Sequence, residues 1–221
     1  MARIGVLTIG QSPRLDVTPA IQQIVGNEVT IIERGGLDRI TPETLHLISP
    51  EGADTTYISK LRNGQAVKIG KTKLLPLLQE ELTALENEVD IVLMLCTGDF
   101  PTLKTRKPIL YPDRILTHTL RSILPEGEKI GLIIPLEEQR EALSVKWDQS
   151  GFELEIEVAS PYEESDPYAA GASLKKRGVS LIVLDCMGYQ AEHKMKAKQG
   201  SGLPVILSSS LVARLAQEYV T

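Results

Sequence analysis

VDIVLMLCTGDF, residues 89–100, and VSLIVLDCMGYQ, residues 179–190, decide how this chain folds. Each opens on Val, runs through an aliphatic stretch and ends in Cys-x-Gly, so that Cys96 matches Cys186 and Gly98 matches Gly188. An apolar run without polar alternation is the pattern of a strand buried on both faces, as at the centre of a parallel sheet. A glycine two residues past the cysteine permits a tight turn and close approach of a ligand to the backbone. The chain of 221 residues holds two cysteines in all, and both stand at this one place in the pattern.

A second pair of segments repeats with the first. IGVLTIGQSPR from Ile4 aligns without gaps on IGLIIPLEEQR from Ile130, with Ile, Gly and Arg recurring (Arg14 on Arg140). The offset is 126 residues for this pair and 90 for the cysteine pair, so the first half carries the difference, 36 additional residues. Similar βαβ units match by accident in their apolar strands, but a scarce residue at matching strand ends does so far less often.

Outward from these segments, strands are expected at 3–9, 28–33, 89–96, 129–135, 152–158, 179–186 and 203–207. Helices are expected from Thr18, with Pro19 at the first position, to Gly26, and over 74–87, 116–124, 136–150, 168–178, 190–198 and 210–219. Strands alternating with helices imply parallel sheets covered on both faces. Residues 35–73 break the rhythm. Thr41-Pro42-Glu43 starts a short helix ending near Ser49, and Asn63-Gly64 is the turn of a β-hairpin. The fold class is therefore α/β: two similar doubly wound lobes in a pseudo-twofold relation with a cleft between them. The first lobe spans 1–117 and carries the helix-plus-hairpin insertion, the second spans 118–207, and a final helix, 208–221, packs back on the first.

Composition narrows the function. Apolar residues make up 42 % and aromatics 4 %, so the core is aliphatic. Net charge is −5 with both signs interspersed, which is not the footprint of a nucleic-acid binder and disfavours an anionic membrane surface. The apolar runs are of strand length, far below the roughly 20 residues of a membrane span. The first residues read as a core strand and not a signal peptide, which places the chain in the cytoplasm with reduced thiols. No Cys-x-x-Cys pair or Cys/His ligand spacing is present, and His46, His118 and His193 are scattered, so a structural zinc is not expected.

In open parallel sheets ligands bind at the carboxyl ends of the strands, where Cys96 and Cys186 stand. A helix following at once would favour each thiolate. A thiolate facing a thiol across a cleft suits two-base chemistry, one taking a proton from a carbon beside a carboxylate and the other delivering one to the opposite face. The bland alternative is a pair of inert, buried thiols. Gly10, Gln11, Ser12 and Arg14 form a polar loop at the tip of the first strand that can hold a carboxylate or serve as ordinary turn and cap chemistry. Thr97 beside Cys96, and Ser208 and Ser209 after the last strand, are further candidates, with helix capping as the alternative. Tyr189 and His193 read first as surface residues of the following helix, and Arg106, Tyr111 and Arg114 as a solvated linker. Asp185, inside the strand, is expected to point away from Cys186.

LTIGQSPRLDVTP (7–19), YPDRIL (111–116), GLIIPLEEQ (131–139), LIVLDCMGY (181–189) and PVILSSSLVARLA (204–216) resemble the AroM family over essentially the whole chain, within the aspartate/glutamate/hydantoin racemase superfamily. Cys186-Met187-Gly188 is similar to the Cys-x-Gly of hydantoin racemases, and Cys96-Thr97 to the start of the Cys-Asn-Thr of amino-acid racemases. By that resemblance Cys96 and Cys186 map onto catalytic thiols. The chain departs from the pattern at Thr97-Gly98, where Asn-Thr stands in the racemases, and in the first loop, which lacks their Asp-Ser. The resemblance implies a cofactor-independent racemase, epimerase or related decarboxylase acting on a small carboxylate. The rival is a small-molecule binding or regulatory protein on the same scaffold. A homodimer, with the hairpin as contact, is the expected assembly.

Overall fold

β1 (Arg3–Thr8) is buried from Ile4 to Thr8 and forms the middle of a four-stranded sheet. In the computed structural model, which describes residues 1–148 and 150–221, the chain divides into two compact units. Unit 1 comprises Met1–Pro112 with Val212–Thr221, and unit 2 comprises Asp113–Leu211. The division falls between Pro112 and Asp113, where the sequence placed it at 117, and the last helix belongs to unit 1 only from Val212 onward.

Unit 1 contains β1, α1 (Thr18–Val25), β2 (Thr30–Gly35), the hairpin β3 (Thr56–Lys60) and β4 (Ala66–Gly70), α2 (Lys71–Leu85), β5 (Ile91–Leu95) and β6 (Ile109–Leu110). Its main sheet is parallel, in the order β2-β1-β5-β6. Unit 2 contains most of α3 (Pro112–Ile123), then β7 (Lys129–Ile134), α4 (Arg140–Asp148), β8 (Glu153–Val158), α5 (Pro167–Lys176), β9 (Leu181–Leu184), α6 (Ala191–Ser201) and β10 (Val205–Leu207). α7 (Ser208–Val220) leaves β10 directly. The unit 2 sheet is also parallel and runs β8-β7-β9-β10, the same order element for element.

The sequence repeat reappears as ladder register. Ile4 pairs with Ile91 in unit 1, and its counterpart Ile130 pairs with Leu181, the counterpart of Ile91, in unit 2. The recurring glycines have one physical cause. A Cβ at Gly5 would lie 2.8 Å from Leu85 of α2, and one at Gly131 would lie 2.9 Å from Leu174 of α5. Each glycine lets the helix that leads into the cysteine strand seat a fully buried leucine against the sheet. Both faces of the unit 2 sheet are covered: Leu132, Ile134 and Val183 join Leu116, Leu120 and Trp147, while Ile133, Ile182 and Leu184 join Leu174 and Ala197. That double burial is why these strands read as unbroken apolar runs.

The insertion differs in part from expectation. The hairpin forms with antiparallel pairing, and Gly64 at its tip takes φ +84°, a conformation that favours glycine. The expected helix between residues 41 and 49 shrinks to a single 3-10 turn, Leu45–Ile48. The Thr44 hydroxyl accepts from Thr41 N–H and donates to Thr41 C=O, closing a local turn that competes with helix formation. Within the hairpin Tyr57, Ile58, Val67 and Ile69 are buried in unit 1, while the tip, residues 62–65, and Lys68 are exposed. The helix expected over 136–150 is a 3-10 turn, Glu137–Gln139, followed by α4, and residue 149 lies outside the described residues. No described helix is long and apolar enough to cross a membrane.

Candidate active site

Cys96 follows the last residue of β5, and Cys186 stands just beyond β9. Both are half-buried and reduced. No helix follows either at once: Cys96 leads into a long connection, and α6 begins only at Ala191. The N–H donors come instead from the turns themselves. Gly98 N–H donates to Cys96 Sγ at 3.3 Å and Gly188 N–H to Cys186 Sγ at 3.4 Å. The same turn, with the same donor aimed at sulfur, is thus built once in each unit, and such a donor favours a negative charge on the acceptor.

The glycines of the two turns are required by rings. A Cβ at Gly98 would lie 2.5 Å from Tyr57 Cε1, and a Cβ at Gly188 would meet the Tyr162 hydroxyl and ring. Tyr57, from the hairpin, donates to Asp99 C=O at 2.9 Å and stacks on Phe100 with centroids 5.1 Å apart. Tyr162, in the connection after β8, places its hydroxyl 3.6 Å from Cys186 Sγ. Sequence reasoning missed both tyrosines. Tyr57 reads as an ordinary inward position of a hairpin. Tyr162 carries one usable signal, its place in a Ser-Pro-Tyr turn immediately past a strand end. A cavity of about 380 Å³ opens in the same connection, lined among others by Pro135, Leu136, Ser160, Glu163 and Glu164.

Asp185 turns away from Cys186, as strand alternation requires. Its carboxylate takes hydrogen bonds from Lys146 Nζ at 2.7 Å and from Trp147 Nε1 at 2.8 Å, deep under α4. Its own N–H donates to Ile133 C=O. The residue before the thiol is therefore an anchor that sets where the turn leaves the sheet.

The first-strand loop requires a correction. Gln11 donates to Leu37 and Ile40 C=O and accepts from Arg62 N–H. Ser12 gives its N–H and its hydroxyl to the Asp38 carboxylate. Arg14, 3 % exposed, forks onto Asp16 through Nε and Nη2 and donates through Nη1 to Thr8 and Ser59. Gly10 lies under the hairpin, where a Cβ would meet Lys60 O and Ser59 Oγ at 2.4 Å. These four residues clamp the hairpin to the first turn and are not placed as carboxylate ligands. Burial raises the Asp16 carboxyl, but the Arg14 hydrogen bond and charge, with Lys60, outweigh it and hold the group below its ordinary range.

Thr97 is buried beside Cys96. Ser208 donates to Leu184 C=O at 2.6 Å and Ser209 to Tyr189 C=O at 3.3 Å, so the start of α7 is tied to the Cys186 turn. Tyr189 is not a surface residue: it is fully buried, donates to Ala159 C=O, and burial above all pushes its phenol well above the ordinary range. His193 accepts the Gln190 N–H on Nδ1 and caps α6. Tyr111 is buried in unit 1, and Arg106 pairs with Glu86. Among the described residues no group of three or more His, Cys, Asp or Glu could hold a metal ion.

Two parallel four-stranded sheets of like strand order define a fold shared with the aspartate/glutamate racemase-like proteins. Unliganded arylmalonate decarboxylase is similar over 100 % of this chain and 92 % of its own, at 12 % identity and a TM-score of 0.60. Glutamate racemase from Aquifex pyrophilus is similar over 99 % and 84 %, at 15 % identity and 0.57. Allantoin racemase from Klebsiella pneumoniae is similar over 100 % and 88 %, at 15 % identity and 0.60. Within that fold, the AroM protein family matches residues 4–220, and the chain belongs to it. A comparison with curated protein sequences finds no match.

Proposed function

We propose that this AroM-family chain is a cofactor-independent enzyme of racemase or epimerase type that acts on a small carboxylate, with Cys96 and Cys186 as its paired acid/base groups. The observation that carries the proposal is the duplicated turn: the same half-buried thiol with the same glycine N–H on its sulfur in both units. The likeness to racemases and a decarboxylase supports it at the level of fold.

In the proposed reaction one sulfur, as thiolate, removes the proton from the carbon beside the carboxylate. The electron pair delocalises into that carboxylate, and the other sulfur, as thiol, returns a proton to the opposite face. Configuration inverts, the proton count is conserved, and the two sulfurs exchange protonation states. Thr97, and Gly98 and Gly188 in the two cysteine turns, remain the candidates for substrate binding; the hydroxyls of Ser208 and Ser209 are committed to Leu184 and Tyr189 C=O. Gln11, Ser12 and Arg14 drop out because their side chains are committed to Ile40 C=O, Asp38 and Asp16.

The test is substrate Cα–H exchange in deuterated water, followed by NMR across amino acids, hydroxy acids and substituted malonates. On a substrate the parent protein turns over, Cys96→Ser and Cys186→Ser are each expected to abolish inversion. Full activity in both variants would overturn the two-thiol mechanism. Decarboxylation needs proton delivery from one face only, so product formation surviving in Cys96→Ser but not in Cys186→Ser would assign a one-thiol decarboxylase.

A further inference from the structure

We propose that Tyr162 is a positioning residue that holds the Cys186 sulfur as a thiolate and fixes its direction. The inference rests on Cys186 being a working thiol. Three features converge on the phenol. Its oxygen lies 3.6 Å from Cys186 Sγ, within range of a hydrogen bond to sulfur. Its ring and hydroxyl occupy the space a side chain at residue 188 would fill, so the glycine of the Cys-x-Gly turn is the seat of the tyrosine. Its backbone is fixed in turn: Tyr162 N–H donates to the buried Ser160 hydroxyl at 3.2 Å, and Ser165 Oγ donates to Ser160 C=O at 2.6 Å. Pro161, with its restricted φ, lies inside that closed loop.

A neutral phenol beside a thiolate donates its proton to the sulfur, and a hydrogen bond to the ionised form stabilises that form. Gly188 N–H reaches the same sulfur at 3.4 Å. The two donors together define a direction for the charge, which an acid/base group needs if it is to meet a carbon-bound proton in line. Gly98 also seats a tyrosine, but the Tyr57 hydroxyl is turned to Asp99 C=O. The inference is confined to Cys186.

Tyr162→Phe keeps the ring on Gly188 and removes only the donor. The readout is the pH dependence of iodoacetamide alkylation, measured for each cysteine by mass spectrometry of its own tryptic peptide, with Cys96 as reference in the same sample. Loss of one hydrogen bond to the charged form is expected to move the Cys186 midpoint up by about one pH unit and to leave Cys96 in place. Gly188→Ala, whose new methyl group displaces the phenol, is expected to reproduce the shift with Tyr162 present. It supplies the answer if Tyr162→Phe fails to fold, as judged by circular dichroism. With a turned-over substrate, the acidic limb of the kcat profile is expected to move with the alkylation midpoint. A Cys186 midpoint unchanged in both variants overturns the inference, as does lost turnover with an unmoved midpoint. Failure of the racemase proposal shows separately, as turnover retained in the cysteine variants.

Discussion

Asp185→Asn tests whether the Cys186 turn is held by a buried ion pair. Lys146 and Asp185 side chains are 7 % and 0 % exposed and meet at 2.7 Å, with Trp147 Nε1 on the same carboxylate oxygen. An exposed pair of this geometry contributes only about 0.2–1 kcal/mol. For a buried one the balance changes, because removing one partner leaves the other charge in the interior without its counter-ion, at about 3–5 kcal/mol. Asparagine keeps an oxygen for the Trp147 N–H, so the loss reports the charge and not the hydrogen bond. Trp147, the single tryptophan of the chain and fully buried, is the natural reporter, and urea unfolding followed by its fluorescence gives the stability. Lys146→Met with Asp185→Leu removes both charges and is expected to recover most of the loss, since apolar replacement of a buried pair is commonly neutral or stabilising. If Asp185→Asn costs less than about 1 kcal/mol, the surface-pair value, or if the double variant is no better than the single one, the pair is not the anchor described.

Gly5→Ala and Gly131→Ala are each expected to destabilise by about 1–3 kcal/mol, because the new methyl group overpacks a fully buried leucine. Neutral substitution at both would refute the shared explanation of the repeated glycine. Burial above all lowers His193 from its ordinary value, and its Nδ1 accepts the Gln190 N–H, so the folded state holds it neutral. As pH falls, the unfolded chain protonates first. The contribution of His193 is therefore complete above its unfolded value of 6.5 and is lost on acidification through that value toward the folded one. Comparing urea midpoints at about pH 7.5 and about pH 5.5 should show a steeper fall in the parent protein than in His193→Asn, whose amide oxygen can keep the cap; equal slopes would contradict it.

The strands, their pairing class and the duplicated turn were legible because burial on both faces leaves an unbroken apolar run, and because Gly5 and Gly131, the two cysteines, and Gly98 and Gly188 recur in register. The orientation of Asp185 followed from alternation alone. β6, two residues long after Pro108, is too short to carry a periodicity. The first loop misled for a different reason. Gln11, Ser12 and Arg14 have the chemistry of ligand groups, but their partners include Leu37 and Asp38, brought near by the pairing of β2 with β1, and Ser59 and Arg62, brought near by the hairpin. Tyr162 escaped because a tyrosine in a turn shows its partner only when the strand two elements later is folded beside it.

Both tyrosines come from the connection between the second strand of a unit and the helix that follows it. In unit 1 that connection covers residues 36–70 and contains a hairpin, while in unit 2 it covers only 159–166. The segment can thus differ severalfold in length and in architecture and still deliver one ring to one glycine. It behaves as a variable part with a single fixed terminal, the ring on the glycine.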